Sequence, residues 1–242
     1  MRSFGLIGYP LGHSFSPAYF EEKFKREGIR DASYQAFPLE DVSYFPFLVV
    51  REVELCGLNV TVPYKKQILP YLNRLDPLAE KIGAVNTIKV ENAELVGYNT
   101  DVEGFVVAIR SILPVYHESA LILGNGGSAM AVKAGLESLG INYKLVSRSD
   151  NGDMDYNAIT KEVVSENTII INTTPLGMYP DVDFFPNFPY EYLSEGHLCF
   201  DLIYNPKETA FMRLSAQQGA SVSNGLEMLK AQAEASWRIW NA

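Results

Sequence analysis

"SALILGNGGSAMAVKAGLESLGINYKLVSRS", residues 119–149, decides the fold. An apolar run of strand length is followed by a glycine turn, a helix-like pattern and a second apolar run. The turn reads Gly124-x-Gly126-x-x-Ala129. In such a turn the first glycine permits the tight bend, and the second lets backbone approach a pyrophosphate. A small third residue lets helix and strand pack closely. Asn125, Gly127 and Ser128 complete the loop and open the helix, whose first N–H groups are suited to receive phosphates. Found between a strand and a helix, the pattern predicts a dinucleotide site on a doubly wound parallel sheet.

The second apolar run, "YKLVS", ends about 20 residues past the first glycine, where an NAD-selective site places Asp or Glu on the ribose 2′-hydroxyl. Here Ser147, Arg148 and Ser149 stand instead. A cation flanked by hydroxyls suits a 2′-phosphate, which favours NADP. Asp150 is the complication, since a shifted loop would let it reach a 2′-hydroxyl.

Working outward, strands and helices alternate along the whole chain, as in α/β proteins with mostly parallel sheets. "SFGLIGY" reads as a first strand. "SPAYFEEKFKREG" reads as a helix with Ser16 as N-cap and Pro17 in its first turn. "SYQAFPL" and "GLNVTVP" read as strands, "YFPFLVVREVELCG" as containing a helix, and "YKKQILPYLNRL" as a helix bent at Pro70. "VNTIKV" and "ELVGYN" form a hairpin, and "DVEGFVVAIRSIL" a helix. A boundary falls near residue 102, and on pattern alone the last helix can pack on either half.

The polar residues of the first half gather where strands end. In "NVTVPYK", Asn59 and Thr61 share one strand face, with Leu58, Val60 and Val62 on the other. Lys65 and Lys66 then fall at the expected helix start. The helix dipole there disfavours an ammonium, which suits Lys65 to proton transfer; Lys66 reads as a solvated neighbour. "GYNTDVEGF" supplies Asn99, Thr100 and Asp101 at a strand–helix junction. Capping accounts for Thr100 and Asp101 structurally; the functional reading pairs Asp101 with Lys65 across a cleft. "GAVNT" adds Asn86. In "GHSFSP", Ser14 and Ser16 can donate to a carboxylate, while His13 reads as a neighbour rather than a base. His117 and His197 look incidental.

Composition sets the limits. The 242 residues carry 20 Lys and Arg against 29 Asp and Glu, a formal charge of −9. That balance argues against nucleic acid or an anionic membrane as partner. Cys56 and Cys199 lie far apart in apolar settings and read as buried free thiols. No Cys/His spacing suggests a metal. The N-terminal stretch lacks the form of a signal peptide. No run reaches the length of a membrane span, so a cytoplasmic enzyme is expected.

Taken in order, "HSFSP", "NVTVPYK", "IGAVNT", "GYNTDVEGF", "LGNGGSAMA", "SRS", "INTTPLGM", "DLIYNP" and "NGLEMLKAQA" resemble shikimate dehydrogenase over nearly the whole chain. The resemblance implies a split α/β catalytic domain (1–101, completed by helix 226–242) and a Rossmann domain (102–225). It implies reversible NADPH-dependent reduction of 3-dehydroshikimate to shikimate, a step of aromatic amino acid biosynthesis. Carried over by motif, Ser14 and Ser16 bind the substrate carboxylate. Asn59, Thr61, Asn86 and Asp101 hold ring hydroxyls, Lys65 sits at the reacting oxygen, and Tyr204 and Gln232 belong to the pocket. Thr173, Gly225 and Met228 face the cofactor. Met228 and Gln232, four residues apart, share a helix face.

The chain departs from the family in being compact, in carrying Asn125 in place of a small Ala, and in reading Ser-Arg-Ser where Asn-Arg-Thr is usual. The alternative is a quinate/shikimate dehydrogenase using NAD or NADP. A dinucleotide-binding regulator without catalysis is disfavoured by the presence of both Lys65 and Asp101. Monomer and homodimer both remain open.

Overall fold

The computed structural model describes residues 1–12, 14–113, 118–148 and 151–242. His13, His117, Ser149 and Asp150 therefore lie outside the described residues. The chain divides into two compact units, Met1–Thr100 with Ala233–Ala242, and Asp101–Gln232.

The first unit is built on a six-stranded mixed sheet, in the order β2-β1-β3-β5-β6-β4. The strands are β1 (Arg2–Gly8), β2 (Ala32–Pro38), β3 (Leu55–Val60), β4 (Arg74–Leu75), β5 (Thr87–Glu91) and β6 (Glu94–Tyr98). β1 runs parallel to both β2 and β3, and β5 and β6 form the antiparallel hairpin. Asn92 and Ala93 turn that hairpin with φ of 51° and 64°. Positive φ at both central residues is the turn whose twist matches the strands.

Side-chain alternation gives the sheet two different faces. Ile7, Leu58, Val60 and Ile88 join Phe45 and Leu48 of α2 (Phe45–Arg51) in one core. On the other face Phe4 packs with Phe20 and Phe24 of α1 (Ser16–Glu27) and with Trp240 of α8 (Leu226–Asn241). Phe20 stacks on Tyr34, with ring centroids 4.3 Å apart. α3 (Pro77–Ile82) is a short helix capped by Asp76, which accepts a hydrogen bond from Leu78 N.

The second unit carries a five-stranded, all-parallel sheet, in the order β11-β10-β9-β7-β8. Its strands are β7 (Ser119–Leu123), β8 (Asn142–Val146), β9 (Ile169–Asn172), β10 (Leu198–Asp201) and β11 (Ser221–Ser223). Both faces are covered, as a parallel sheet requires. Ile122, Ile171 and Phe200 pack with Phe105 of α4 (Asp101–Arg110) and Val132 of α5 (Gly127–Leu139). Leu121, Ile170 and Cys199 pack with Val164 of α6 (Lys161–Glu166) and Phe211 of α7 (Ala210–Gln217). Chain order reverses at β7, whose neighbours are β8 and β9; ligands of such sheets bind at the carboxyl ends beside that reversal.

Two local expectations are corrected. Residues 64–75 form no α-helix: turns span the segment to a 3₁₀ turn at Leu69–Tyr71, and β4 follows. Pro70 has no N–H to give the Lys66 carbonyl, and Leu69 N takes it instead at 3.3 Å. The Lys65 carbonyl accepts from Val85 N at 2.8 Å, not from a helical neighbour. Ser16 is not the N-cap of α1; Phe15 holds that position without a side-chain cap, and Ser16 begins the helix. The division between the two compact units falls inside α8, after Gln232.

Candidate functional site

In the second unit the glycine turn lies at the end of β7. Gly124 has φ of +104°, a region open to glycine and costly to other residues. A Cβ there would lie 2.9 Å from Thr173 Oγ1. Thr173 follows β9 and is tied to β7 by two hydrogen bonds to the Leu123 carbonyl, from its hydroxyl at 2.7 Å and its N–H at 2.9 Å. The turn and the Thr173 loop thus meet at the carboxyl ends of adjacent strands.

Gly126 is the N-cap of α5, and a side chain added at Gly126 or Gly127 would meet nothing within 4 Å. That open space lies over the first N–H groups of the helix, at Gly127, Ser128 and Ala129. The fold implies a dinucleotide, and these residues fit its pyrophosphate. Ala129 itself is fully buried, as close packing of helix on strand requires. Ser147 is buried beyond β8, and Arg148 after it is exposed. Burial raises the Tyr156 phenol above its ordinary range, and the nearby Arg148 charge pulls it back.

Behind the Thr173 loop stands a buried polar pair that sequence reasoning missed. Asn172 Oδ1 accepts from Thr174 N at 3.0 Å and from the Thr174 hydroxyl at 2.7 Å, while Asn172 Nδ2 donates to Asp201 Oδ1 at 3.0 Å. Asp201 ends β10, and its Oδ1 also accepts from Ile203 N at 3.0 Å. Tyr204, half-buried, follows directly on this segment. The available signal was an apolar strand ending in a bare carboxylate, "HLCFD". Gly225 is held 3.1 Å from the Ile203 carbonyl through its N–H, and a Cβ on it would sit 2.0 Å from the Leu202 carbonyl oxygen. Met228 is buried in the hydrophobic core of this unit with Phe105 and Phe200. Gln232 is buried, and its Nε2 donates to the Leu229 carbonyl at 3.0 Å. Asp101, buried, opens α4.

In the first unit, Ser14, Ser16, Asn59, Thr61, Lys65 and Asn86 are carried by α1, the ends of β1 and β3, and the approach to β5. Ser14 N donates to the Leu11 carbonyl at 3.1 Å. Thr61 N donates to the Ile7 carbonyl at 2.9 Å, and Tyr64 N to the Thr61 carbonyl at 2.9 Å. Lys65 is half-buried in that turn and Lys66 exposed. The turn is pinned by Tyr64, whose hydroxyl donates to the Leu39 carbonyl at 2.5 Å.

Asn59 and Asn86 are both buried and heavily engaged. Asn59 Oδ1 accepts from the Tyr34 hydroxyl at 2.8 Å, and its Nδ2 reaches Ser236 Oγ at 2.9 Å and Thr87 Oγ1 at 3.2 Å. Asn59 therefore acts chiefly as an internal strut. Asn86 Oδ1 accepts from Thr100 N at 2.7 Å, and its Nδ2 donates to Thr100 Oγ1 at 2.9 Å. Burial holds the Tyr34 phenol far above its ordinary range, and the neighbouring Ser16 hydroxyl pulls it back. Tyr34, Thr87 and Ser236 were missed from sequence. For Ser236 the signal was one more helical step along the Met228–Gln232 face.

Residues 6–88 match the model of the shikimate dehydrogenase substrate binding domain. A shikimate dehydrogenase (NADP(+)) of Clostridium beijerinckii is 39% identical over 250 residues, covering 99% of this chain and 92% of that protein. The corresponding protein of Desulforamulus reducens is 35% identical over 269 residues, covering 98% of this chain and 88% of its own length. Among solved structures, shikimate 5-dehydrogenase from Thermus thermophilus, in complex with NADP(H) and shikimate, superimposes with a TM-score of 0.88 at 30% identity. That likeness covers 99% of this chain and 93% of the other.

Proposed function

The chain belongs to the shikimate dehydrogenase family, and from that premise we propose how its residues carry the reaction. The protein is an NADP-dependent oxidoreductase that interconverts 3-dehydroshikimate and shikimate, a step of the shikimate pathway. One observation carries this reading: the likeness to NADP-dependent relatives runs over nearly the full length of the chain. The unit with the six-stranded sheet is the substrate-binding domain, and the parallel-sheet unit holds the dinucleotide. Among the described residues no helix is long and apolar enough to cross a membrane, and we place the enzyme in the cytoplasm.

NADP, when bound, supplies or accepts the hydride. The chain's own residues do the rest. Gly124, Asn125, Gly126, Gly127, Ser128 and Ala129 receive the pyrophosphate at the start of α5. Ser147, Arg148 and Ser149 answer the 2′-phosphate. Thr173, Gly225 and Met228 bound the nicotinamide side. Ser14 and Ser16 donate to the substrate carboxylate. Thr61, Asn86, Tyr204 and Gln232 orient the ring, with Asn59 behind them. Lys65 gives a proton to the oxygen that becomes the alcohol, and takes it back in reverse. Asp101 orients Lys65 and the neighbouring hydroxyl.

The test is a spectrophotometric assay of cofactor reduction, with shikimate and quinate each offered with NADP and with NAD. Turnover of shikimate with NADP is expected. No turnover with that pair overturns the reading, and faster turnover of quinate with NAD moves it to quinate dehydrogenase.

A further inference from the structure

Ser236 sits on α8, fully buried, at the meeting point of three side chains. Its Oγ lies 2.9 Å from Asn59 Nδ2, 2.7 Å from Thr87 Oγ1 and 3.2 Å from Thr100 Oγ1. Thr87 and Thr100 are themselves 3.2 Å apart, so the three hydroxyls form a triangle.

Each hydroxyl has one hydrogen to give and also accepts, so each can link several neighbours. Thr87 Oγ1 donates to Asn86 Oδ1 at 3.2 Å. Between Ser236 and Thr87 either hydroxyl can be the donor. The Ser236 oxygen accepts from Asn59 Nδ2, and Asn59 Oδ1 accepts from the Tyr34 hydroxyl. One continuous hydrogen-bonded network therefore joins Tyr34, Asn59, Ser236, Thr87 and Asn86. Asn86, at one end, is assigned above to the substrate ring.

We propose that Ser236 is a positioning residue of the substrate site, its hydroxyl setting the Asn59 and Asn86 carboxamides. It touches no substrate, being wholly enclosed. The single Ser236 oxygen accepts from Asn59 and shares a further hydrogen bond with Thr87. Alanine there removes the best partner of a buried amide hydrogen and of a buried threonine, which loosens the carboxamides as well as the fold. The inference rests on the substrate assignment made under the proposed function.

A double variant separates positioning from stability. Replacing both members of a buried polar pair by apolar groups of similar shape restores much of the stability that a single replacement loses. Ser236→Ala and Ser236→Ala/Thr87→Val are compared with wild type by steady-state kinetics, thermal unfolding and NADP titration. In Ser236→Ala, KM for shikimate rises about tenfold, with a smaller change in kcat and unchanged NADP affinity. The double variant regains melting temperature while KM stays high. A KM unchanged in Ser236→Ala, or one returning with melting temperature in the double variant, overturns the proposal. Should Ser236→Ala not fold, the double variant decides alone: a wild-type KM refutes it. Absence of shikimate turnover in wild type removes the underlying functional reading, and the positioning role with it. Wild-type turnover with an unchanged variant KM removes the positioning role alone.

Discussion

Asp201 and Thr209 are joined inside the parallel-sheet unit by a 2.6 Å hydrogen bond from the Thr209 hydroxyl to Asp201 Oδ2. Thr209 is also the N-cap of α7, its oxygen accepting from Met212 N at 3.2 Å. One threonine thus ties a helix start to the carboxylate that steadies the Thr173 loop through Asn172. Burial pushes the Asp201 carboxyl up to about 6, against the pull of its three donors.

The sign of the pH effect follows. A carboxyl with a folded value above its unfolded one holds its proton more tightly in the folded state. Its protonated form favours folding fully below the ordinary carboxylate range, and that contribution is lost as pH rises through about 6. Asp201→Asn imitates the neutral acid and cannot titrate. Its stability relative to wild type rises between pH 4 and pH 7 by on the order of 2 kcal/mol. Urea unfolding at the two pH values checks this, and a difference that falls or stays flat contradicts it.

Lys65→Ala lowers kcat by about 10²-fold or more, the usual worth of a positioned proton donor, with a smaller change in KM for shikimate. Steady-state kinetics at saturating NADP measure both. A variant with near-full kcat takes Lys65 out of the chemistry. Lys66→Ala, at an exposed neighbour, serves as the control and leaves both constants near wild type.

Arg148→Ala weakens NADP far more than NAD, because only NADP carries the 2′-phosphate that a guanidinium pairs with. A tenfold or greater fall in the NADP:NAD preference, read as the ratio of kcat/KM values, is expected, at about 1.4 kcal/mol per factor of ten. An unchanged ratio assigns the preference elsewhere.

Gly225→Ala places a methyl group 2.0 Å from the Leu202 carbonyl oxygen. Backbone on both sides must move, and overpacking of this kind costs about 1–3 kcal/mol. Thermal unfolding is expected to show a clear fall in midpoint. A midpoint within error of wild type means that this close approach does not constrain the fold.

The parallel-sheet unit was legible because its signals are local. The glycine turn, the alternating βα series and the Ser147–Arg148 pair each occupy a few consecutive residues. The family resemblance supplied Tyr204, Gln232 and Thr173, which no local pattern marks. The segment after Val62 was misread because its periodicity suits a helix while the hydrogen bonds go elsewhere: the Lys65 carbonyl is taken by Val85. The dipole argument for Lys65 lapses with that helix, leaving its role to the family motif and to its place in a pinned turn. Tyr34, Thr87 and Ser236 were illegible for a related reason. Each is an ordinary strand or helix residue until residues far apart in sequence are brought into one buried network.

The division of the chain has a consequence for its synthesis. Trp240 covers Phe4 and Phe20, yet lies in 233–242, which are translated after all of 1–232. Residues 101–232 are contiguous, so the parallel-sheet unit has its full complement first. Until 233–242 are made, α1 alone can cover the Phe4 face of the six-stranded sheet, and the helical segment that completes the cover also delivers Ser236. Hydrophobic closure of that unit and assembly of its polar network therefore become possible in the same late stretch of translation.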